Sequence, residues 1–279
     1  MTDAYLARRG SAPRELAVVI GVGALGMAAA RRLGQRYRLL LVDLETEALR
    51  HKADMLSGEG HDCSIFQCDI TDQRAVAALA EKVSAAGLLR TLTHFAGLSP
   101  SMADSNKILE VNLIGARLVE KELLAHARPG TAAIFIASLA GHLGNTTEEV
   151  LQLMDEPFQP NFITALREHF PDGIDPHLAY QLSKTAVRRF CRRQAAAWGS
   201  KGARIVSLSP GLIATPMGDL ESKASPIKGE LLARTPLDRE GSILEIADAI
   251  DFLVSDRASF ITGTDLLVDG GIAAVLSSG

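Results

Sequence analysis

The sequence predicts an α/β fold, a doubly wound parallel sheet of about seven strands with helices on both faces. Three observations predict it. Short apolar runs rich in β-branched residues alternate with longer stretches of helical composition along most of the 279 residues. The runs are apolar throughout, which marks strands buried on both faces. The first run leads directly into a glycine turn that opens a helix, "VVIGVGALGMAAARRL".

The elements follow in order. ELAVVI (15–20) is a strand, ALGMAAARRLGQ (24–35) a helix and YRLLLVD (37–43) a strand ending in Asp43. TEALRHKADMLSGEG (46–60) is a helix stopped by glycine, and DCSIFQCD (62–69) a strand ending at an acid. TDQRAVAALAEKVSAAG (71–87) is a helix with Thr71 as its N-cap. TLTHFAG (91–97) is a strand, 105–127 a helix, and TAAIFIASLAG (131–141) a strand running into small residues. A helix covers 177–199, a strand 203–211, a helix 243–255 and the last strand 264–271. Residues 142–176 break this rhythm and are too long for a plain loop. EEVLQLM and NFITALREHF within them read as two short amphipathic helices, an insertion that covers a site or makes an interface. The expected organisation is a tail at 1–14 and one dinucleotide-binding domain at 15–279.

Composition narrows the function. Hydrophobic residues make up 47% of the chain and the formal net charge is −4. That supports a sizeable core and gives no basic field for nucleic acid or anionic lipid. No apolar run reaches transmembrane length, and the start lacks the apolar stretch of a signal peptide. Cys63, Cys68 and Cys191 are an odd count without metal-like spacing, which suits reduced thiols in a cytoplasmic protein and no bound metal. The basic run RRFCRRQ carries Arg188, Arg189, Arg192 and Arg193 around a helix of an acidic protein. A solvated face, or pairing with acids, is its commoner meaning.

Gly21, Gly23 and Gly26 form G-x-G-x-x-G after a strand and before a helix, the Rossmann-type arrangement. The first glycine turns the chain, the second admits a pyrophosphate and the third packs helix on strand. The helix N-terminus then holds the phosphates. Asp43 closes the next strand, where a carboxylate accepts from a ribose 2′-hydroxyl and repels a 2′-phosphate. With Leu25 and Leu44 at the neighbouring positions, no cation stands ready for that phosphate, so the expected cofactor is NAD, not NADP. Arg31 and Arg32, further along the helix, read as solvated charges.

"LAYQLSK" (178–184) places Tyr180 and Lys184 one turn apart on one helical face. A free phenol, with pKa near 10, is a poor base at neutral pH, and a neighbouring ammonium favours the phenolate. Together with the glycine turn, "FAG" (95–97), "VNLIG" (111–115), "IASLAG" (136–141), "YQLSK" (180–184), "SPGLIATPM" (209–217) and "ITGTDLLVDGG" (261–271), the chain resembles the short-chain dehydrogenase/reductase family. The resemblance implies an alcohol–ketone oxidoreductase with Tyr180 as general acid/base. It makes Lys184 the residue that tunes the phenol and binds the nicotinamide ribose, Ser138 the hydroxyl that orients the substrate oxygen, and Asn112 part of a proton relay. It implies cofactor contacts from Leu25 and Met27 in the turn, Leu44 beside Asp43, Asp69 and Ile70 at the adenine, and Ala96 and Gly97 along the cofactor. Pro210, Gly211, Ile213 and Thr215 then contact the carboxamide.

Two positions depart from the family pattern. Val22 and Ala28 stand where T-G-x-x-x-G-x-G has its first and third glycines, and His94 and Phe95 replace the two Asn of N-N-A-G. His94 reads as a structural strand-end residue, and His142 and His177 as ordinary polar residues. Ser138 and Tyr180 are 42 apart where the family more often has a dozen or so. The extra length is similar to that of the bacterial 3α-hydroxysteroid dehydrogenase/carbonyl reductase subgroup. This resemblance implies a homodimer, with a homotetramer as the alternative, since there the insertion blocks a helix-pairing surface. Residues 216–235 match the family's substrate lid, and Met217, Leu220, Ile227, Leu231 and Leu232 offer apolar surface for a hydroxysteroid or other hydrophobic carbonyl compound. The competing expectation is a catalytically silent NAD(H)-binding sensor or scaffold of the same fold.

Overall fold

The computed structural model describes residues 15–215 and 227–277. The expected tail at 1–14 and most of the expected lid therefore lie outside the described residues. The strands are β1 (Leu16–Ile20), β2 (Arg38–Asp43), β3 (Cys63–Gln67), β4 (Leu89–His94), β5 (Ala132–Ile136), β6 (Arg204–Pro210) and β9 (Asp265–Val268). They form one seven-stranded parallel sheet in the order β3-β2-β1-β4-β5-β6-β9. The short strands β7 (Ile213–Ala214) and β8 (Gly241–Ser242) pair beside it. The order reverses at β1, between β2 and β4, which opens a crevice at the carboxyl ends of those strands.

Helices cover both faces. On one side lie α1 (Ala24–Leu33), α2 (Thr46–Gly58) and α10 (Ile243–Val254), which follows the short α9 (Ile227–Arg234) in the chain, over Val19, Leu41, Ile134 and Val206. On the other lie α3 (Gln73–Ala86), α5 (Ala116–Leu124) and α8 (Pro176–Gly199), over Val18, Leu40, Leu92 and Phe135, with α4 (Ser105–Leu109) packed on α8. Strand residues therefore alternate between two apolar clusters, as an apolar run buried on both faces requires.

Caps set the helix ends. α3 is capped by Asp72, whose carboxylate accepts from Arg74 N–H, and not by Thr71. Thr71 instead donates both its N–H and its hydroxyl to Asp69, at 2.9 and 2.7 Å. α8 begins at Asp175, which accepts from Leu178 N–H at 2.8 Å, with Pro176 in the first turn. Pro there loses no intrahelical hydrogen bond and its φ is already helical.

The stretch expected as one helix at 105–127 is interrupted. α4 and α5 are joined by a π-helical turn at Glu110–Gly115. The strand expected over 131–141 ends at Ile136, and Leu139–His142 form a 3₁₀ turn.

The insertion folds as expected into two helices, α6 (Glu148–Asp155) and α7 (Phe162–Glu168). Its apolar residues Val150, Met154, Phe162, Leu166 and Ile174 bury against Ile108, Leu109 and Leu113 of the α4 segment and Ala179, Leu182 and Ala186 of α8. Arg189 of α8 grips Asp155 with two hydrogen bonds, at 2.8 and 2.9 Å, and Arg193 adds a 3.3 Å ion pair to the same carboxylate. Pairing with acids is thus the use of these two arginines. Arg31 and Arg32 also take surface partners, Glu59 and Asp248, while remaining exposed.

The insertion's anchor is testable. Leu166 is fully buried, so Leu166→Ala should lower the unfolding free energy by about 2–5 kcal/mol in denaturant titration of the full chain. Wild-type stability in that variant would mean that α7 does not pack on α4 and α8.

Candidate active site

The glycine turn lies at the mouth of the crevice. Ile20 carbonyl accepts from Phe95 and Ala96 N–H, at 2.7 and 3.0 Å, which draws the end of β4 against the end of β1. Gly21 has φ +86°, and a Cβ there would stand 2.3 Å from Ala96 N. A Cβ on Gly26 would stand 2.1 Å from the Gly21 carbonyl oxygen, so both positions exclude any side chain. Gly23 is different: no atom lies within 4 Å of where its Cβ would be, and α1 starts there without a side-chain cap. Open space and free N–H groups at a helix start suit an anion.

Asp43 stands at the same mouth. Its carboxylate accepts from Val22 N–H and from Leu44 N–H, each at 2.8 Å, so it fixes the turn from the second strand. Leu44 is exposed beside it. Hydrogen bonds from the Thr71 hydroxyl and N–H hold the Asp69 carboxyl below the usual carboxylate range. Ile70 is buried, Leu25 is half-buried against the core, and the Met27 side chain is buried within it. Pro210 ends β6, Gly211 N–H donates to Val268 carbonyl at 2.9 Å, and Ile213 lies in β7 beside Gly241. Thr215 closes this described stretch.

The second half of the site gathers on α8. Lys184 is buried, and its ammonium donates to the Ile136 carbonyl at 2.9 Å while lying 5.5 Å from the centroid of the Tyr180 ring. Burial pushes its pKa down from 10.5 to about 8. Ser183, between the two, donates to the Tyr180 carbonyl at 2.7 Å. Asn112 sits in the π-helical turn, wholly buried. It accepts from Leu98 N–H at 2.7 Å and donates to Leu98 carbonyl and to the Ser183 hydroxyl, at 2.9 and 3.4 Å. Gly97 packs beside them: a Cβ there would stand 3.1 Å from Asn112 Oδ1 and 3.5 Å from Lys184 Nζ.

Ser138 caps the 3₁₀ turn, its hydroxyl accepting from Ala140 N–H at 3.2 Å. It lies between Ile136, which holds the Lys184 ammonium, and Gly141, whose carbonyl accepts from Thr185 at 3.3 Å. Chain contacts on both sides therefore hold the segment around Ser138 against α8 at Lys184, Thr185 and Arg188. Sequence distance did not separate them.

Two histidines gain definite environments. His94 is 2% exposed and stacks on Phe135 at 5.3 Å, and burial, with the nearby Lys184 charge, lowers its pKa to about 3. It is a neutral strand-end residue, as the sequence suggests. His142 is not an ordinary polar residue: its Nε2 lies 2.8 Å from Asp265 Oδ2, a partner 123 positions away that no local pattern reveals. Among the described residues no group of three His, Cys, Asp or Glu could hold a metal ion, and no helix is long and apolar enough to cross a membrane.

The buried ammonium has a measurable signature. Between about pH 8 and 10.5 the unfolded chain holds the Lys184 proton more tightly than the folded chain does. Stability should therefore rise across that window, by roughly 3 kcal/mol, and fall as pH drops through about 8. Lys184→Met should lose that rise in denaturant titrations from pH 7 to 11. Equal slopes in wild type and variant would count against a buried ammonium.

Known proteins were compared with this geometry. The family model described as short chain dehydrogenase matches residues 15–150, and one described as Enoyl-(Acyl carrier protein) reductase matches residues 164–273. A short-chain dehydrogenase/reductase of Alternaria brassicicola, bsc3, is 34% identical over 93% of this chain and 96% of its own length. The 3-alpha-hydroxysteroid dehydrogenase/carbonyl reductase of Comamonas testosteroni is 31% identical over 80% of this chain and 91% of its own. A solved 7α-hydroxysteroid dehydrogenase, complexed with NADH and 7-oxo glycochenodeoxycholic acid, shares the fold with a TM-score of 0.74 at 24% identity, covering 92% of this chain and 93% of its own. With a parallel seven-stranded sheet, a glycine turn at its switch point and these relatives along nearly its whole length, the chain belongs to the short-chain dehydrogenase/reductase family.

Proposed function

We propose that this oxidoreductase is NAD-dependent and interconverts a hydrophobic secondary alcohol and its ketone, with Tyr180 as the acid/base. The observation that carries the reading is the Lys184 ammonium, buried, tied to Ile136 and one helical turn from the Tyr180 phenol. A cation held there favours the phenolate, which can take the alcohol proton and return it in the reverse direction. Ser138 orients the substrate oxygen, and Asn112, held by Leu98 and Ser183, takes part in a proton relay that leads to Lys184. Being buried with its polar atoms satisfied, Asn112 is fixed in place.

The residues present fit a dinucleotide. The open side of Gly23 and the uncapped start of α1 suit its pyrophosphate. Asp43, with exposed Leu44 beside it and no cation among its hydrogen-bond partners, suits an unphosphorylated ribose. The remaining contacts would come from Gly21, Gly26 and Leu25, from Met27 through the packing of its helix, and from Asp69, Ile70, Ala96 and Gly97. Lys184 would reach the nicotinamide ribose, and Pro210, Gly211, Ile213 and Thr215 the carboxamide. When bound, NAD accepts or returns the hydride of the carbinol carbon.

Relatives named for hydroxysteroids support a bulky apolar substrate. Leu231, half-buried against Leu139 and Ile272, and half-buried Leu232 are lid residues that the described part of this segment offers toward it. A homodimer is the proposed assembly, because the insertion covers the α4 and α8 face. A cytoplasmic location accords with three unpaired cysteines, of which Cys63 and Cys68 have thiol pKa values pushed up by burial to about 11 and 12.

The test is NADH formation at 340 nm, with NAD and with NADP, over 3-hydroxysteroids and simple secondary alcohols. Tyr180→Phe should lose turnover by at least ~10²-fold while still binding NAD. Retained turnover would sink the acid/base role, and binding without turnover on any alcohol would favour a sensor. Asp43→Ala should narrow the NAD-over-NADP preference, and an unchanged ratio would remove Asp43 from cofactor choice. Sedimentation equilibrium should give a dimer, and a tetramer would show that the covered face does not set the assembly.

A further inference from the structure

One carboxylate outside the reacting groups collects hydrogen bonds from two segments, β6 and the Ser138 turn, and an ion pair from a third, α8. Asp265 stands in β9, the edge strand, with its side chain 8% exposed. Its Oδ1 accepts from Ser207 and Ser209 of β6, at 2.6 and 3.0 Å. Its Oδ2 meets His142 Nε2 at 2.8 Å and lies 3.6 Å from Arg188 Nε, an ion pair and not a hydrogen bond. Arg188 in turn donates from Nη1 to the Gly141 carbonyl, which also accepts from Thr185. Both donors lie on α8, Thr185 directly after Lys184 and Arg188 one turn beyond it. Gly141 is pressed so closely on this helix that a Cβ would stand 2.8 Å from the Lys184 carbonyl carbon and oxygen.

The 3₁₀ turn Leu139–His142, which Ser138 caps, is thus held at its far end only by these contacts among the described hydrogen bonds outside the turn. Its near end continues from β5. A rigid near end and a clamped far end leave the Ser138 hydroxyl one position relative to α8. Without the clamp, the turn can rotate about Ala137–Ser138 and carry that hydroxyl away from Tyr180. A displacement of about 1 Å at a substrate-orienting group can reduce turnover by ~10²-fold.

We propose that Asp265 is a positioning residue for the reaction, acting through His142 and Arg188 to hold the Ser138 turn against the helix that carries Tyr180 and Lys184. The inference rests on the reading of Ser138 and Tyr180 given above. Asp265 touches no reacting atom. Its negative charge matters because it faces the Arg188 guanidinium and the His142 ring together, and a neutral amide has one accepting oxygen and turns an NH2 donor toward the partners of the other. The two serines supply hydrogen bonds that keep the carboxylate from rotating away.

Asp265→Asn, His142→Gln and His142→Leu test it, with Tyr180→Phe as the reference. The probe is androsterone or cyclohexanol, whichever the wild type oxidises faster with NAD. Asp265→Asn should lower kcat by ~10-fold or more while the Kd for NADH changes less than about twofold. His142→Gln keeps a donor toward Asp265 and should retain most of the kcat, whereas His142→Leu should fall as Asp265→Asn does. Hydrogen–deuterium exchange requires no substrate: peptides spanning 139–143 should exchange faster in Asp265→Asn and His142→Leu, with β5 unchanged. Unaltered exchange, or equal losses in His142→Gln and His142→Leu, would overturn the proposal. Undiminished turnover in Tyr180→Phe would instead remove the catalytic reading beneath it, and the exchange result would still decide whether Asp265 holds the turn.

Discussion

An ammonium group inside the molecule is the constraint on which the rest of this structure depends. Placing a cation away from water costs several kcal/mol unless polar groups receive it. Lys184 is received by the Ile136 carbonyl at the end of β5 and is ringed by neutral neighbours. His94, directly involved in its field, is kept uncharged by the same burial and by Lys184 itself. Neutral His94, stacked on Phe135, adds no second positive charge near it. Two elements must therefore meet at a fixed offset: the last residues of β5 and the third turn of α8.

The chain meets that demand with ordinary local devices. Asp175 and Pro176 start α8 firmly, and no further Pro or Gly interrupts it before Gly199. Tyr180 and Lys184 thus share one face by helical geometry alone. The π-helical turn shifts the register of the neighbouring helix so that Asn112 can exchange two hydrogen bonds with Leu98. Single-turn π segments are often found where a side chain must be aimed. On the opposite side of the crevice, the two mutually excluding glycines bring β1, β4 and α1 together at the switch point.

Much of this was legible in the sequence because the signals were of two strong kinds. Strands buried on both faces read as unbroken apolar runs, and these form the middle of the sheet, with the partly buried β3 and β9 at its edges. Residue pairs set by local spacing, such as Tyr180 with Lys184, were equally plain. Ends were harder. Thr71 and Asp72 are both good caps, and the choice turned on Asp69 capturing Thr71. The run 131–141 looked continuous, yet Ser138 turns it by accepting from Ala140 N–H. A one-residue slip within an otherwise amphipathic helix leaves no trace in its periodicity, so the π turn was hidden. Arg188 and Arg189 were visible as charge, but their acids lie in an insertion and on an edge strand. Such partners are chosen by the tertiary fold.

The insertion enters at the 3₁₀ turn and leaves at the Asp175 cap, two points that are themselves fixed to the sheet and to α8. The number of residues between Ser138 and Tyr180 is consequently free of the geometry between them. Loop-closure entropy grows only with the logarithm of length, and an excursion that packs its own apolar face offsets that cost. Such a segment is a module in the evolutionary sense. It can lengthen, shorten or be replaced without disturbing chemistry at either anchor, and whichever version is present decides what the outer helical face can meet.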